Sequence, residues 1–150
     1  KAMASRRLAV ALFCFPMDSV PRILITPEAV DVLQQLRGRF GELMFHQSGG
    51  CCDGSQPICF EKGEFKVGSN DVYLGDIDGC GFFMSRDQFE YWQHTQLSVD
   101  ITLGRGSSFS LEIPLGLRFI IRSRLFNDNE LKHLSPVISG EEYLDKQAAG

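Results

Sequence analysis

The sequence predicts an α+β domain built mainly from antiparallel strands in a meander, with two short helices covering one face or an end. Three observations lead to it. Thr26-Pro27-Glu28 has the residues of a helix start. Leu97, Val99, Ile101 and Leu103 alternate with Ser98, Asp100 and Thr102, as in a half-buried strand. The segments after them are joined by turns too short to hold a crossover helix, so neighbouring strands must run antiparallel.

In the first helix Thr26 is the N-cap, Pro27 the first helical residue and Glu28 an acid facing the positive end of the helix dipole. Val30, Leu33, Leu36 and Phe40 recur at helical spacing, and Gly38 or Gly41 is the stop. Leu43 to His46 is a strand that runs into Gln47-Ser48-Gly49-Gly50-Cys51-Cys52-Asp53-Gly54-Ser55, a tight loop. Ile58 to Phe60, Glu64 to Val67, Val72 to Leu74 and Phe82 to Met84 are short strands bounded by Gly or Asp. Ser85-Arg86-Asp87-Gln88 has capping-box spacing for a second helix, whose buried side is Phe89 and Trp92. The meander follows. Its strands carry Leu97 to Leu103, then Phe109, Leu111 and Ile113, then Leu117 to Leu125, with turns at Gly104-Arg105-Gly106 and Pro114-Leu115-Gly116.

A chain of 150 residues is one domain by length. The expected globular part is Pro21 to Phe126, with 127–150 as a C-terminal tail. Residues 1–20 are expected to lie outside the fold. There Arg6-Arg7 precedes the apolar run Leu8 to Phe15, the outline of a signal peptide without its small-x-small cleavage triplet. An upstream extension with Met17 as an alternative start, a targeting segment and a structural strand are the three readings, in that order of preference. The formal net charge of −4 argues against nucleic-acid or anionic-membrane binding, which needs a basic face. No apolar run is long enough to cross a bilayer as a helix. Nicotinamide dinucleotide binding is also excluded, because Gly104-Arg105-Gly106 leads from a strand into another strand and offers no helix N-terminus to a pyrophosphate.

The chemistry is concentrated in cysteine. Cys14, Cys51, Cys52, Cys59 and Cys80 are an odd set with no convincing secretory signal, which points to reduced thiols and a cytoplasmic location. Adjacent Cys51 and Cys52 close no useful loop as a disulfide, but two thiolates on a Gly-rich loop suit zinc, iron or an iron–sulfur cluster. The candidate ligands are Cys51 and Cys52, with Cys59, Cys80 and His46 completing the shell. Asp53 is a further flanking donor, and Gly49, Gly50 and Gly54 let the backbone bend. Three alternatives stand beside metal binding. Cys51 and Cys52 form a redox pair, or one of them is a nucleophile activated by His46, or the domain is a metal-free interaction module in which Cys59 and Cys80 are core residues. No third group to orient a Cys–His pair can be assigned. Arg118, Arg122 and Arg124 share a strand face, either as an anion clamp or paired with Glu112 or Asp100. Phe89, Tyr91 and Trp92 around His94 are read as core packing rather than a ligand wall.

Four runs give the chain a resemblance. They are Leu43 to Ser55, Phe89-Glu90-Tyr91-Trp92-Gln93-His94-Thr95-Gln96-Leu97, Gly104 to Glu112, and Arg118 to Phe126. Together they resemble domain-of-unknown-function family 779, an uncharacterised and mostly bacterial family, over about Pro21 to Phe126. The resemblance implies an accessory role beside an aldehyde or alcohol dehydrogenase, with such an enzyme, or a second copy of the chain, as partner. Aldehyde dehydrogenase activity of the chain itself is not expected, because such an enzyme needs far more chain to hold a cofactor and a thiol nucleophile together. Thr26 through Phe60, with Ser48-Gly49-Gly50-Cys51, is also similar to the HesB-like A-type iron–sulfur carriers. That likeness implies a β-sandwich and makes Cys51 a cluster ligand, although the chain has no cysteine after Cys80 to match the carriers' terminal pair.

Overall fold

A computed structural model describes residues 19–47, 55–104 and 110–149. Strands β1 (Ile23–Ile25), β6 (Thr95–Leu103) and β7 (Leu117–Leu125) form one sheet in the order β1-β6-β7. Strands β2 (Leu43–Gln47), β3 (Ile58–Glu61), β4 (Asp71–Ile77), β5 (Cys80–Ser85) and β8 (Ile138–Ser139) form a second, in the order β3-β2-β5-β4-β8. Helices α1 (Pro27–Phe40), α2 (Arg86–Trp92), α3 (Asp128–Leu131) and α4 (Gly140–Ala149) complete the described elements. The class is α+β and the pairing mostly antiparallel, but β1 runs parallel to β6 and β2 parallel to β5. Among the described residues no helix is long and apolar enough to cross a membrane.

The caps read from sequence are in place. The Thr26 hydroxyl accepts from the Ala29 amide at 3.2 Å, and the chain leaves α1 at Gly41, whose amide donates to the Arg37 carbonyl. Ala29, Val30, Val32, Leu33 and Leu36 are the buried side of this helix. The Ser85 hydroxyl caps α2 by accepting from the Gln88 amide, and Trp92 is buried beneath it. Between the sheets Phe45 stacks on Phe82 at 6.0 Å and meets Phe119 edge-on at 5.0 Å, so one ring ties β2 to both sheets.

The meander differs in its middle. Strands β6 and β7 pair over their whole lengths, Thr95 with Leu125 through Leu103 with Leu117. The segment between them is not a strand: Leu111 and Glu112 form a turn that passes into a 3-10 helix at Ile113–Leu115, and Phe109 lies outside the described residues. Alternation would have left Ser110 and Glu112 on a polar outer face. Both are buried instead, because backbone amides at the sheet edges need acceptors. The Glu112 carboxylate accepts from the Ser110 hydroxyl, from the Phe119 amide at 2.9 Å and from the Gln56 side chain at 3.3 Å. The Ser110 oxygen in turn accepts from the Cys59 amide at 2.8 Å.

Two more differences bear on the site. Glu64 to Val67 is a turn and an irregular stretch, not a strand, and it folds Phe65 over β2. Residues 127–149, expected as a tail, add to the sheet: β8 pairs Ile138 with Tyr73 and Ser139 with Val72, and Val20 is bridged to Leu134. Gly75, at φ +144, sits where the β4–β5 register shifts, and a β-carbon there would meet the Ile23 methyl at 3.3 Å.

Replacing Glu112 by Ala removes the acceptor that the Ser110 hydroxyl, the Phe119 amide and the Gln56 side chain share. The expected loss is about 3 kcal/mol or more in urea unfolding. Ser110→Ala, which removes one link of the same chain of bonds, is expected to cost about 1–2 kcal/mol. Unchanged midpoints would contradict the role assigned to this carboxylate.

Candidate functional site

Strand β2 is buried along its length, and its two faces do different things. Phe45 points between the sheets, so the next residue, His46, points to the opposite face. That face is not open: His46 is 3 % exposed, with the Phe65 ring stacked on it at 4.0 Å. Its Nε2 bonds Asp71 Oδ1 at 2.7 Å. Asp71 is itself fixed, since its Oδ2 accepts from the Gly68 amide at 3.0 Å and its own amide donates to the Gly68 carbonyl. A carboxylate can only accept, so in the neutral ring Nε2 carries the hydrogen and Nδ1 is the basic nitrogen. A carboxylate that fixes the ring in this way is common among metal-ligating and catalytic histidines.

Cys59 and Cys80 lie on the other face. Cys59 pairs with Phe45, and Cys80, the first residue of β5, lies two positions from Phe82 on the same side. Both are free thiols in the inter-sheet core. Burial, and then the charges of Glu112 and Cys80, push the Cys59 thiol far above its ordinary value. Burial also pushes the Cys80 thiol up, against a hydrogen bond from Arg37, whose Nη2 lies 3.4 Å from the sulfur. The expected ligand pool therefore divides: the sheet separates His46 from Cys59 and Cys80, so these three do not converge. Among the described residues no group of three or more His, Cys, Asp or Glu side chains is placed to hold a metal ion. Cys51, Cys52 and Asp53 lie outside the described residues, as do Gly49, Gly50 and Gly54.

The residues just before Cys80 make a hairpin turn. Asp78, at φ 50°, and Gly79, at φ 82°, form the two-residue turn of the β4–β5 hairpin. Asp-Gly is the strongest short signal for that turn, and it was legible in the sequence. Asp71 was not: it stands 25 residues from His46, and no local pattern links them. The arginine face pairs as half expected. Arg122 bonds Asp100 at 2.6 Å, and Arg124 bonds Glu130 and the Gln96 side chain, each at 2.8 Å. Glu112 takes no part, being buried elsewhere. The Arg124 hydrogen bond, with help from the Asn127 amide, holds Glu130 at about 2. Trp92 is in the core and Phe89 packs against it, as expected, whereas Tyr91 is 68 % exposed. Phe89 has a second role. It packs with Phe126 around the Arg22 guanidinium, at 5.2 and 5.9 Å.

Residues 32–125 match the family described as Domain of unknown function (DUF779). The chain belongs to that family. The match spans β2 through β7, so it includes His46, Asp71, the Cys51–Cys52 loop and Glu112. No match was found among curated proteins, and none among solved structures. The second resemblance, to A-type iron–sulfur carriers, finds no support in these comparisons.

In the folded DUF779 domain Cys59 and Cys80 are expected to resist iodoacetamide at pH 8 and to react once urea unfolds the chain, as read by peptide mass spectrometry. Both folded values lie above the unfolded thiol value of about 8.5, so the unfolded chain releases these protons first. Their stabilising contribution is complete below about pH 8.5 and is lost as pH rises beyond it, which alkaline denaturation curves will show. Rapid labelling of either thiol in the native state would contradict its burial.

Proposed function

We propose that the chain binds a transition-metal ion, zinc or iron, at the end of β2, through the Cys51 and Cys52 thiolates and the His46 imidazole. The observation that carries this reading is the buried His46–Asp71 bond, made by the strand that leads directly into the cysteine loop. Histidines that ligate metals are commonly held by a carboxylate on the other ring nitrogen, which fixes their orientation. Asp71 is in that position, and Phe65 keeps the ring from turning. Thiolate with imidazole is a donor set suited to zinc or iron. Zinc so held would cross-link the segment after β2, and iron would add redox capacity. Cys59 and Cys80 have no part in this set, since they lie across the sheet.

The test is elemental analysis and an absorption spectrum of protein purified under reducing, oxygen-free conditions. Near-stoichiometric metal is expected, lost in Cys51→Ser and Cys52→Ser. In Asp71→Asn the metal is retained with affinity lower by about 10–100-fold. Metal-free protein with rapidly titrated Cys51 and Cys52 would overturn the reading. It would favour a cysteine nucleophile with His46 as base, for which Asp71 supplies the orienting group.

A further inference from the structure

On the outer face of the five-stranded sheet, α4 and the turn after β3 enclose a cleft of about 500 Å3. Its size lies within the range that takes a small organic ligand. The floor is aromatic. Tyr73 of β4 and Phe83 of β5 lie 5.4 Å apart, and Tyr143 of α4 packs 4.6 Å from the first and 4.9 Å from the second. Phe65, the ring that covers His46, lines the same cleft.

The phenols carry no charge here. Burial, then the hydrogen bond to Asp76 and its charge, push Tyr73 far up, and burial first raises Tyr143 as well. The Tyr73 hydroxyl donates to Asp76 Oδ1 at 2.6 Å, so the acid on the wall is already engaged by the floor. Lys62 and Lys66 stand at the rim. Lys62 is 3.4 Å from Glu42, whereas for Lys66 no carboxylate lies within 4.0 Å among the described residues.

We infer that this cleft binds an aromatic carboxylate, with its ring on Tyr73 and Tyr143, which the buried Phe83 backs, and its anionic group on Lys66. Flat apolar area supplies most of the affinity, and the lysine selects the sign of the head group. The inference is separate from metal binding, because none of the groups it uses is a proposed ligand.

The test is calorimetric titration of the full chain with 2-naphthoate and with its cationic counterpart, 2-naphthylmethylammonium. Naphthoate is expected to bind the chain at least fivefold more tightly than the ammonium. Lys66→Gln is expected to weaken naphthoate about five- to tenfold and to leave the ammonium unchanged. Leu144→Trp, at an exposed position on the cleft wall, is expected to weaken both by occupying space. The inference falls if naphthoate shows no binding at millimolar concentration, if the ammonium binds as tightly, or if Lys66→Gln has no effect. The same titration on the Cys51→Ser/Cys52→Ser double variant is expected to match the parent chain, so failure of the metal reading and failure of this one are told apart.

Discussion

Burying Phe45 decides the sidedness of the five-stranded sheet. The ring is inaccessible to solvent and reaches Phe82 within its own sheet and Phe119 across the interface. Removing such a ring from a packed core costs about 3–5 kcal/mol. A one-residue slip of β2 would turn that ring out and drive His46 in, so the register is firmly set. Everything chemical about the sheet follows from this. His46 must face outward, where Asp71 and Phe65 receive it, and Cys59, paired with Phe45, must face inward. One strand thus separates a polar, locked imidazole from two inert thiols.

The second constraint is polar. Glu112 is fully buried and its carboxylate is shared among a hydroxyl, a backbone amide and a side-chain amide. Buried charge is tolerated only when its hydrogen bonds are complete, and here the acceptor capacity is well used. Its partners come from the segment preceding β3, from the 110–112 turn and from β7, so the carboxylate joins the edges of the two sheets where no ladder connects them. Within the smaller sheet β1 is held by its parallel pairing with β6 and by the Thr26 amide, which donates to the Val99 carbonyl.

These constraints explain what the sequence made legible. Local signals were reliable: the Thr26 and Ser85 caps, the alternation through Leu97 and Val99, and the strand from Leu43 are all in the structure. Long-range polar pairing was not legible. Ser110 and Glu112 looked like the solvent face of a strand because their alternation with Phe109, Leu111 and Ile113 is regular, and only the distant Phe119 and Cys59 amides make them interior. The candidate site divides in the same way. The loop's composition marked Cys51 and Cys52, and proximity in sequence added His46, Cys59 and Cys80, but proximity along a strand says nothing about sides. Parity does: Cys59 is placed with Phe45 and apart from His46 once the β2–β3 register is known. Even the exposed end of β6 follows a tertiary reason, since Leu103, apolar and in phase with Val99, runs past the core and is 83 % exposed.

The parallel pairing of β2 with β5 also has a bearing on how the chain assembles during synthesis. Strands β2 to β5 leave the ribosome as a continuous block and can form their ladders among themselves. The inner surface of that block, with Phe45 and Phe82, gains the Phe119 ring only when β7 emerges, and β1 waits for β6 before it has a ladder partner. A nascent chain paused between Ser85 and Leu117 would carry a formed sheet whose aromatic side lacks β6 and β7, a species prone to self-association and a natural client for chaperones that shield hydrophobic surface.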